Sequence, residues 1–403
     1  MLEARNGGII MSKIEAYNIL LKFIKSRNKG QKKLDVVLIW ISLLFWTGRY
    51  NKALDYVDNY LKNRCCEELY FWKGVLYYFL KDYFKASEVL ERAEAIDAKS
   101  AEIKYFLAET YILRAEIEKA ESKYRAMIID KELNGLGLYG IGCCLMKKER
   151  VDEALGFFNR ALECAKQDYK IHILNKKGLC LLAQEKLEDA YACFQECLKI
   201  SPGDDSIKLN MALVLSKLGN YEKAVEIYKS FLSKNPYDLT AINNLGLCLA
   251  ALGNYREALE YCNKGLEIDP INIDLLGNKG YCHYKLQDYK NALDCLNEAE
   301  KYSKDDIILL NNKALCLMAL ENYDDALKLF DRVLQEHSSD DVLINKAHCL
   351  IKKELFQEAL KCLDKVKNKI EKGFDVYVLQ GICFEKLGNN EKAIEYYNKS
   401  LNA

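Results

Sequence analysis

The sequence is poor in proline, in histidine and in net charge, and each shortage excludes a class of protein. Three prolines in 403 residues leave no room for a proline-rich linker. With 59 basic and 59 acidic residues, the chain lacks the basic excess with which most nucleic-acid binders neutralise phosphates. We therefore expect no nucleic-acid partner.

No stretch of the sequence predicts a membrane span or a secretory signal. The longest apolar run, residues 36–46, is much shorter than the roughly 20 residues that a bilayer requires. Residues 1–10 contain a glutamate, two glycines and no apolar core, unlike a signal peptide. We therefore expect a cytoplasmic protein without a membrane partner.

Patterns typical of catalysis and metal binding are also missing. The four histidines are scattered and have no HExxH or CxxC companion, so the sequence predicts no metal site. Residues 135–140 match the GxGxxG pattern, but they follow a predicted helix and not a strand. This context favours a glycine-rich helix over a dinucleotide site. We expect no catalytic residues, no cofactor and no enzymatic activity.

What the chain does contain is one unit, repeated many times. In residues 238–272 (DLTAINNLGLCLAALGNYREALEYCNKGLEIDPIN) apolar residues recur at helical spacing until Gly253-Asn254 interrupts them. A second amphipathic helix is predicted from Tyr255 to Ile268. Every copy of the unit has an alanine near the start of its second helix: Ala53, Ala86, Ala120, Ala154, Ala190, Ala224, Ala258, Ala292, Ala326, Ala359 and Ala393.

A small residue lies twelve positions before each alanine, with Ile41 as the exception, so that the two helices can approach closely. The unit closely resembles a tetratricopeptide repeat, which Leu245-Gly246, Tyr255, Ala258 and Pro270 match. The resemblance implies an all-α fold, a right-handed superhelical solenoid of helix–turn–helix repeats. Eleven repeats would cover about residues 34–403.

We expect two regions. Residues 1–30 read as a leader and a capping helix, because residues 14–25 (IEAYNILLKFIK) predict one amphipathic helix without a full partner, and either Met1 or Met11 is the start. Residues 31–403 read as the eleven tandem repeats. The last repeat still has internal character, with Ile394 and Leu401, and no further helix follows it. A homodimer joined through this end is therefore one alternative.

Seven of the sixteen cysteines occupy the tenth position of their repeats: Cys144, Cys180, Cys248, Cys282, Cys316, Cys349 and Cys383. Free cysteine behaves as a small buried apolar residue, so packing is the leading interpretation. The alternative is a set of thiol pairs within repeats, each thirteen residues apart: Cys180/Cys193, Cys282/Cys295 and Cys349/Cys362.

The resemblance also implies a concave surface lined by the first helices, to which repeat positions 2, 5, 6, 9, 12 and 13 contribute. Position 6 is asparagine in five consecutive repeats: Asn210, Asn244, Asn278, Asn312 and Asn345. An asparagine amide donates and accepts, so such a row can pair with the main chain of an extended peptide. The alternative is that these amides make local hydrogen bonds.

The first helices of the N-terminal repeats are apolar almost all round. Their large aromatic residues include Trp46, Phe71, Trp72, Tyr78 and Tyr105. Helices without a polar face are usually buried, so the N-terminal helix or a tight superhelical curl can cover them. The alternative is an aromatic groove for an amphipathic helix or a hydrophobic segment of a partner.

These observations favour a non-catalytic scaffold for protein–protein interaction. The expected partner is a protein or peptide, bound as an extended or helical segment along the concave surface. The second hypothesis is a self-assembling structural subunit that is joined through its C-terminal repeat.

Overall fold

The computed structural model describes residues 19, 32–62, 66–131, 133–164, 167–367 and 373–401. These residues form helices and no strand, which confirms the predicted all-α fold of helix–turn–helix repeats. The leader and capping helix predicted for residues 1–30 lie outside the described residues, apart from Ile19. The helices are α1 Lys32–Trp46, α2 Tyr50–Leu61, α3 Glu67–Phe79, α4 Tyr83–Ile96, α5 Ala101–Leu113, α6 Ile117–Met127, α7 Asn134–Lys147, α8 Val151–Cys164, α9 Gln167–Ala183, α10 Leu187–Ile200, α11 Asp205–Lys217, α12 Tyr221–Leu232, α13 Leu239–Ala251, α14 Tyr255–Ile268, α15 Ile273–Lys285, α16 Tyr289–Tyr302, α17 Ile307–Ala319, α18 Tyr323–Glu336, α19 Asp340–Lys352, α20 Phe356–Leu363, α21 Gly373–Lys386 and α22 Asn390–Leu401.

Odd-numbered helices are the first helices of the repeats and even-numbered helices are the second. Each first helix meets its second helix at the small residues found in the sequence, and all eleven alanines are buried. At Gly142, a methyl group would lie 2.5 Å from Cε1 of Phe158 in the facing helix α8. A methyl group at Gly246 would lie at an ordinary 3.5 Å from Sγ of Cys262. Close packing therefore requires glycine at the first position and not at the second.

The turn within each repeat has one conformation throughout the array. The residue at the same place in all eleven turns has a positive φ, and it is glycine in only four: Gly48, Gly219, Gly253 and Gly388. In the representative turn, the amide of Gly253 donates to the carbonyl of Ala250, and that of Asn254 donates to the carbonyl of Leu249. These bonds satisfy the carbonyl groups at the end of the helix.

One detail of the turn differs from the sequence prediction. The asparagines expected to cap the second helices, Asn220, Asn254 and Asn322, precede those helices but make no side-chain cap hydrogen bond. Aspartates at the same place do cap: Asp82 accepts from the amide of Lys85, and Asp288 accepts from the amide of Asn291. Position in the turn therefore does not guarantee the cap.

The helices fall into two compact units, residues 1–214 and 215–403. Unit 1 contains a large continuous hydrophobic core, which includes Phe45, Trp72, Phe106 and Phe158. Unit 2 contains smaller clusters that neighbouring repeats share, around Leu296, Phe330 and Leu363. The first helices of unit 1 are correspondingly more buried than those of unit 2: in α5 almost every residue is buried.

The glycine-rich stretch that matches GxGxxG lies inside helix α7, as the sequence context predicted. A side chain at Gly140 would overlap the ring of Tyr124, and one at Gly137 would come within 2.9 Å of the Tyr124 carbonyl oxygen. These glycines therefore make room for a neighbouring helix, and not for a nucleotide.

The cysteines at the tenth repeat position are buried free thiols. Burial raises the pKa of Cys248, Cys282, Cys349 and Cys383 to about 11, so these thiols stay protonated near neutral pH. The six cysteines of the alternative thiol pairs are also unbonded. Their environment fits the packing interpretation.

Two searches bear on membranes and metals. In the described ranges, every helix is too short or too polar to cross a bilayer. Over the same residues, no group of three or more histidine, cysteine, aspartate and glutamate side chains is arranged to hold a metal ion.

Candidate protein-binding surface

The asparagines of the first helices form pairs between neighbouring repeats. Nδ2 of Asn210 donates to Oδ1 of Asn175 at 3.0 Å. Two pairs in unit 2 have the same arrangement: Asn278 donates to Asn243 at 2.6 Å, and Asn345 donates to Asn311 at 3.0 Å. In each pair the donor occupies position 6 of its repeat, and the acceptor occupies position 5 of the preceding repeat.

These amide pairs recur in every second repeat. Position 5 is asparagine in the fifth, seventh and ninth repeats, at Asn175, Asn243 and Asn311, whereas the repeats between them have Leu209 and Gly277 there. The sequence analysis named the donors but did not identify this pairing. The recurrence at alternate repeats is the signal that would have revealed it.

Local pairing leaves part of each amide free to bind. One hydrogen bond uses one of the two N–H groups of the donor and one of the two lone pairs of the acceptor. All five position-6 asparagines and their three partners are half-buried, so they are accessible from one side. The pairing also fixes which way each amide points, which lowers the entropy that a ligand must remove on binding.

The other two position-6 asparagines have different surroundings. Asn244, in helix α13, lies beside the buried hydroxyl of Tyr228. Burial raises the pKa of Tyr228, and the amide of Asn244 opposes part of that rise. Asn312 follows Asn311 in helix α17 and is half-buried like the others.

The lysines next to these asparagines are neutralised by acids of the preceding second helix. Nζ of Lys313 lies 2.6 Å from Glu300 of α16, and Lys346 forms an ion pair with Asp331 of α18. The surface around the amides of unit 2 therefore offers uncharged hydrogen-bonding groups in place of unpaired cations. Such a surface suits the peptide main chain better than an acidic side chain.

The structure does not form the aromatic groove that the sequence raised as an alternative. Phe71, Trp72, Tyr78 and Tyr105 are buried, so these rings cannot line an open groove. Phe71 packs edge-on against Phe106, with their centroids 5.3 Å apart, and Tyr78 packs on the same ring. Trp46 differs, since half of its surface is exposed. The burial of apolar side chains against neighbouring first helices is the reason.

The inner face of unit 1 carries a buried polar pair that the sequence analysis missed. Glu109 of α5 is fully buried, and it accepts a short hydrogen bond from the hydroxyl of Tyr124. Burial and the charge of Glu109 raise the pKa of Tyr124 well above its usual value, so the hydroxyl remains a donor. A glutamate within an apolar helix was the available signal.

Comparison with family models identifies the repeats. Models described as tetratricopeptide repeat match residues 67–100, 181–245, 240–272 and 273–306. A model described as anaphase-promoting complex, cyclosome, subunit 3 matches residues 298–366 and 319–400. The chain is a tetratricopeptide-repeat protein.

A relative and several solved structures are similar to the chain. A TPR repeat-containing protein of Methanocaldococcus jannaschii is 24% identical over 244 residues, which cover 57% of this chain and 42% of the relative. A tetratricopeptide repeat protein of Parabacteroides merdae is 18% identical, with a TM-score of 0.49 over 58% of this chain and 93% of that one. Yeast Tom70 is 14% identical, with a TM-score of 0.47 over 92% of each chain.

Proteins built of such repeats are in general non-enzymatic scaffolds, and their stacked repeats present extended binding surfaces. The fold and the family together therefore support a scaffold for protein–protein interaction. Which segment it binds, and where, is a separate question.

Proposed function

We propose that the chain binds an extended segment of a partner protein along the inner face of unit 2. Asn244, Asn278, Asn312 and Asn345 would hold the main chain of that segment, and Asn210 forms the equivalent pair in unit 1. The observation that carries this proposal is the recurrence of half-buried, oriented amide pairs in alternate repeats.

The spacing of the pairs fits an extended chain. Neighbouring packed helices lie about 8–10 Å apart, so pairs in alternate repeats are about 16–20 Å apart. An extended polypeptide rises about 3.3 Å per residue, so roughly five or six residues separate successive contacts. A helical segment fits less well, since its main-chain groups already bond to one another.

The proposal predicts that removing two amides releases the partner. We would compare the wild-type protein with the Asn244→Ala/Asn278→Ala variant in affinity capture from host-cell extract, and identify the proteins by mass spectrometry. Two lost hydrogen bonds cost about 2 kcal/mol, which corresponds to roughly 30-fold weaker binding. Calorimetry with the bound fragment then measures this loss directly.

The matched control is Asn263→Ala/Asn297→Ala, which removes two exposed asparagines from the second helices α14 and α16. This control should capture the partner as the wild type does. Equal capture by all three proteins would show that the amides serve local structure only.

A second candidate function is self-association through the last repeat. It is supported by three large apolar side chains that are exposed there, Phe374, Ile394 and Leu401. Sedimentation should then give a mass that rises with concentration, and Ile394→Asp should abolish the rise. A constant monomer mass would eliminate this candidate.

A further inference from the structure

The inner face of the third repeat is closed, whereas the corresponding face in unit 2 is open. Positions 2, 5, 6, 9 and 12 of helix α5 are all buried: Glu102, Tyr105, Phe106, Glu109 and Ile112. In helix α13 of unit 2 the same positions include the exposed Thr240 and Leu247 and the half-buried Asn243 and Asn244. Two carboxylates and a tyrosine are thus removed from solvent on a face that elsewhere contacts solvent.

The neighbouring repeats account for part of this burial. Among the described helices, α5 packs mainly against its partner α6 and against α3 and α4 of the preceding repeat. Phe71 and Tyr78 of α3 cover the ring of Phe106. These helices all belong to the stack itself, and a first helix enclosed only by its stack keeps an open inner side, as α13 does.

One described residue from outside the repeats belongs to this same core. Ile19 is helical, only 3% exposed, and part of the continuous hydrophobic cluster that contains Tyr105, Phe106 and Ile112. Ile19 lies at the centre of the segment for which the sequence predicts an amphipathic helix, residues 14–25.

We propose that residues 12–27 (SKIEAYNILLKFIKSR) act as an internal ligand that occupies the inner face of unit 1. This proposal is independent of the amide surface of unit 2. It assigns the closed face to a helical segment of the chain itself, and it leaves the open face of unit 2 to the external partner.

Length and charge both fit this occupant. Twelve helical residues extend about 18 Å, which matches two repeats at about 8–10 Å each. The segment carries Lys13, Lys22, Lys25 and Arg27, whereas the closed face carries Glu102 and Glu109. Opposite charges that are buried together lower the cost of burying either one.

The arrangement has a consequence for partners of unit 1. A tethered segment acts at an effective concentration of about 1 mM, so a competing amphipathic helix must bind more tightly than the segment does or act when the segment is released. The inner face of unit 1 is therefore a self-occupied site for helical segments.

The test uses the full chain with Ile19→Asp, and a fluorescent synthetic peptide of residues 12–27 as the probe. The charged side chain should expel the segment, so this variant should bind the peptide at least tenfold more tightly than the wild type does. Hydrogen exchange of helix α5 should also become at least tenfold faster in the variant, and added peptide should restore the protection. Helix α15 of unit 2 serves as the internal reference.

The matched control is Asn18→Asp, which places the same charge on the predicted polar face that includes Glu15 and Lys22. It should behave as the wild type, and a peptide carrying Ile19→Asp should bind none of the proteins. If Ile19→Asp reduces the helix content, Ile19→Ala replaces it in both assays. Unchanged exchange of α5, or a peptide that neither binds nor restores protection, would overturn the proposal.

Discussion

One pair of positions has opposite chemistry in two parts of the molecule. Position 5 of one first helix meets position 6 of the next, and in unit 1 these positions hold Phe71 and Phe106, edge-on and fully buried. In unit 2 the same positions hold Asn243 and Asn278, hydrogen-bonded and half-buried. A repeat backbone that stays the same can therefore present either a closed core or a polar surface.

The difference also separates two kinds of stability. A fully buried phenylalanine contributes roughly 1.5–3 kcal/mol through removal of apolar surface from water. A half-buried amide pair contributes about 1 kcal/mol, because its groups bond to water in the unfolded chain. Unit 1 is expected to depend on its inner face for folding, whereas unit 2 can use its inner face for binding.

The largest expected effect comes from exchanging these chemistries. Phe71→Asn/Phe106→Asn should destabilise unit 1 by more than about 4 kcal/mol, because two cavities form and two amides are buried. Asn243→Leu/Asn278→Leu should change the stability of unit 2 little, since both polar partners are replaced together. Hydrogen exchange of helices α5 and α15 measures each unit separately, which matters because repeat arrays need not unfold in one step. Equal losses in the two units would remove the distinction drawn above.

A smaller effect is expected at the helix crossings. Gly142→Ala should destabilise unit 1 by about 1–3 kcal/mol, because the new methyl group would lie 2.5 Å from the buried ring of Phe158. Gly246→Ala in unit 2 should stabilise by up to about 1 kcal/mol, since alanine favours helix and the nearest atom is 3.5 Å away. Urea unfolding followed by circular dichroism gives both changes. Two shifts of the same sign would mean that the crossings do not differ as their contacts indicate.

The smallest effect concerns an ion pair between repeats of unit 1. Glu121 accepts hydrogen bonds from Arg125 and from Lys148, at 2.8 Å for the latter. Burial raises the pKa of Glu121, but these two cations outweigh it and hold the pKa below its usual value of 4.5. A lowered folded pKa favours the native state above about pH 4.5, and this contribution disappears as the pH falls through the folded pKa.

Lys148→Met should therefore reduce stability at pH 7 by less than about 1 kcal/mol, since solvent screens the pair, and should have less effect near pH 3. Unfolding midpoints measured at both pH values check the sign. A loss that is larger at pH 3 would contradict this assignment of charge.

The predictable part of the fold depends on local patterns. The alanines, the small residues that face them and the interrupted helical periodicity specify helix pairs within about 34 residues, as Ala258 and Gly246 illustrate. The same patterns placed the position-6 asparagines on one face of successive helices. They did not reveal that Asn278 bonds to Asn243, because that contact joins residues from different repeats.

The aromatic residues show the opposite limit. The sequence marked Phe71, Trp72 and Tyr105 as unusual and left both burial and a groove open. All three are buried. Composition cannot distinguish these outcomes, because both require large apolar side chains on a first helix.

The sequence by itself determined the repeat, its helix pairs and the side chains that each first helix presents, because these follow from spacing along one short unit. Only the tertiary structure decided that the inner face is closed at Phe106 and open at Asn278. The burial of a side chain depends on what lies across from it, and the residues across from these two positions are distant in the chain.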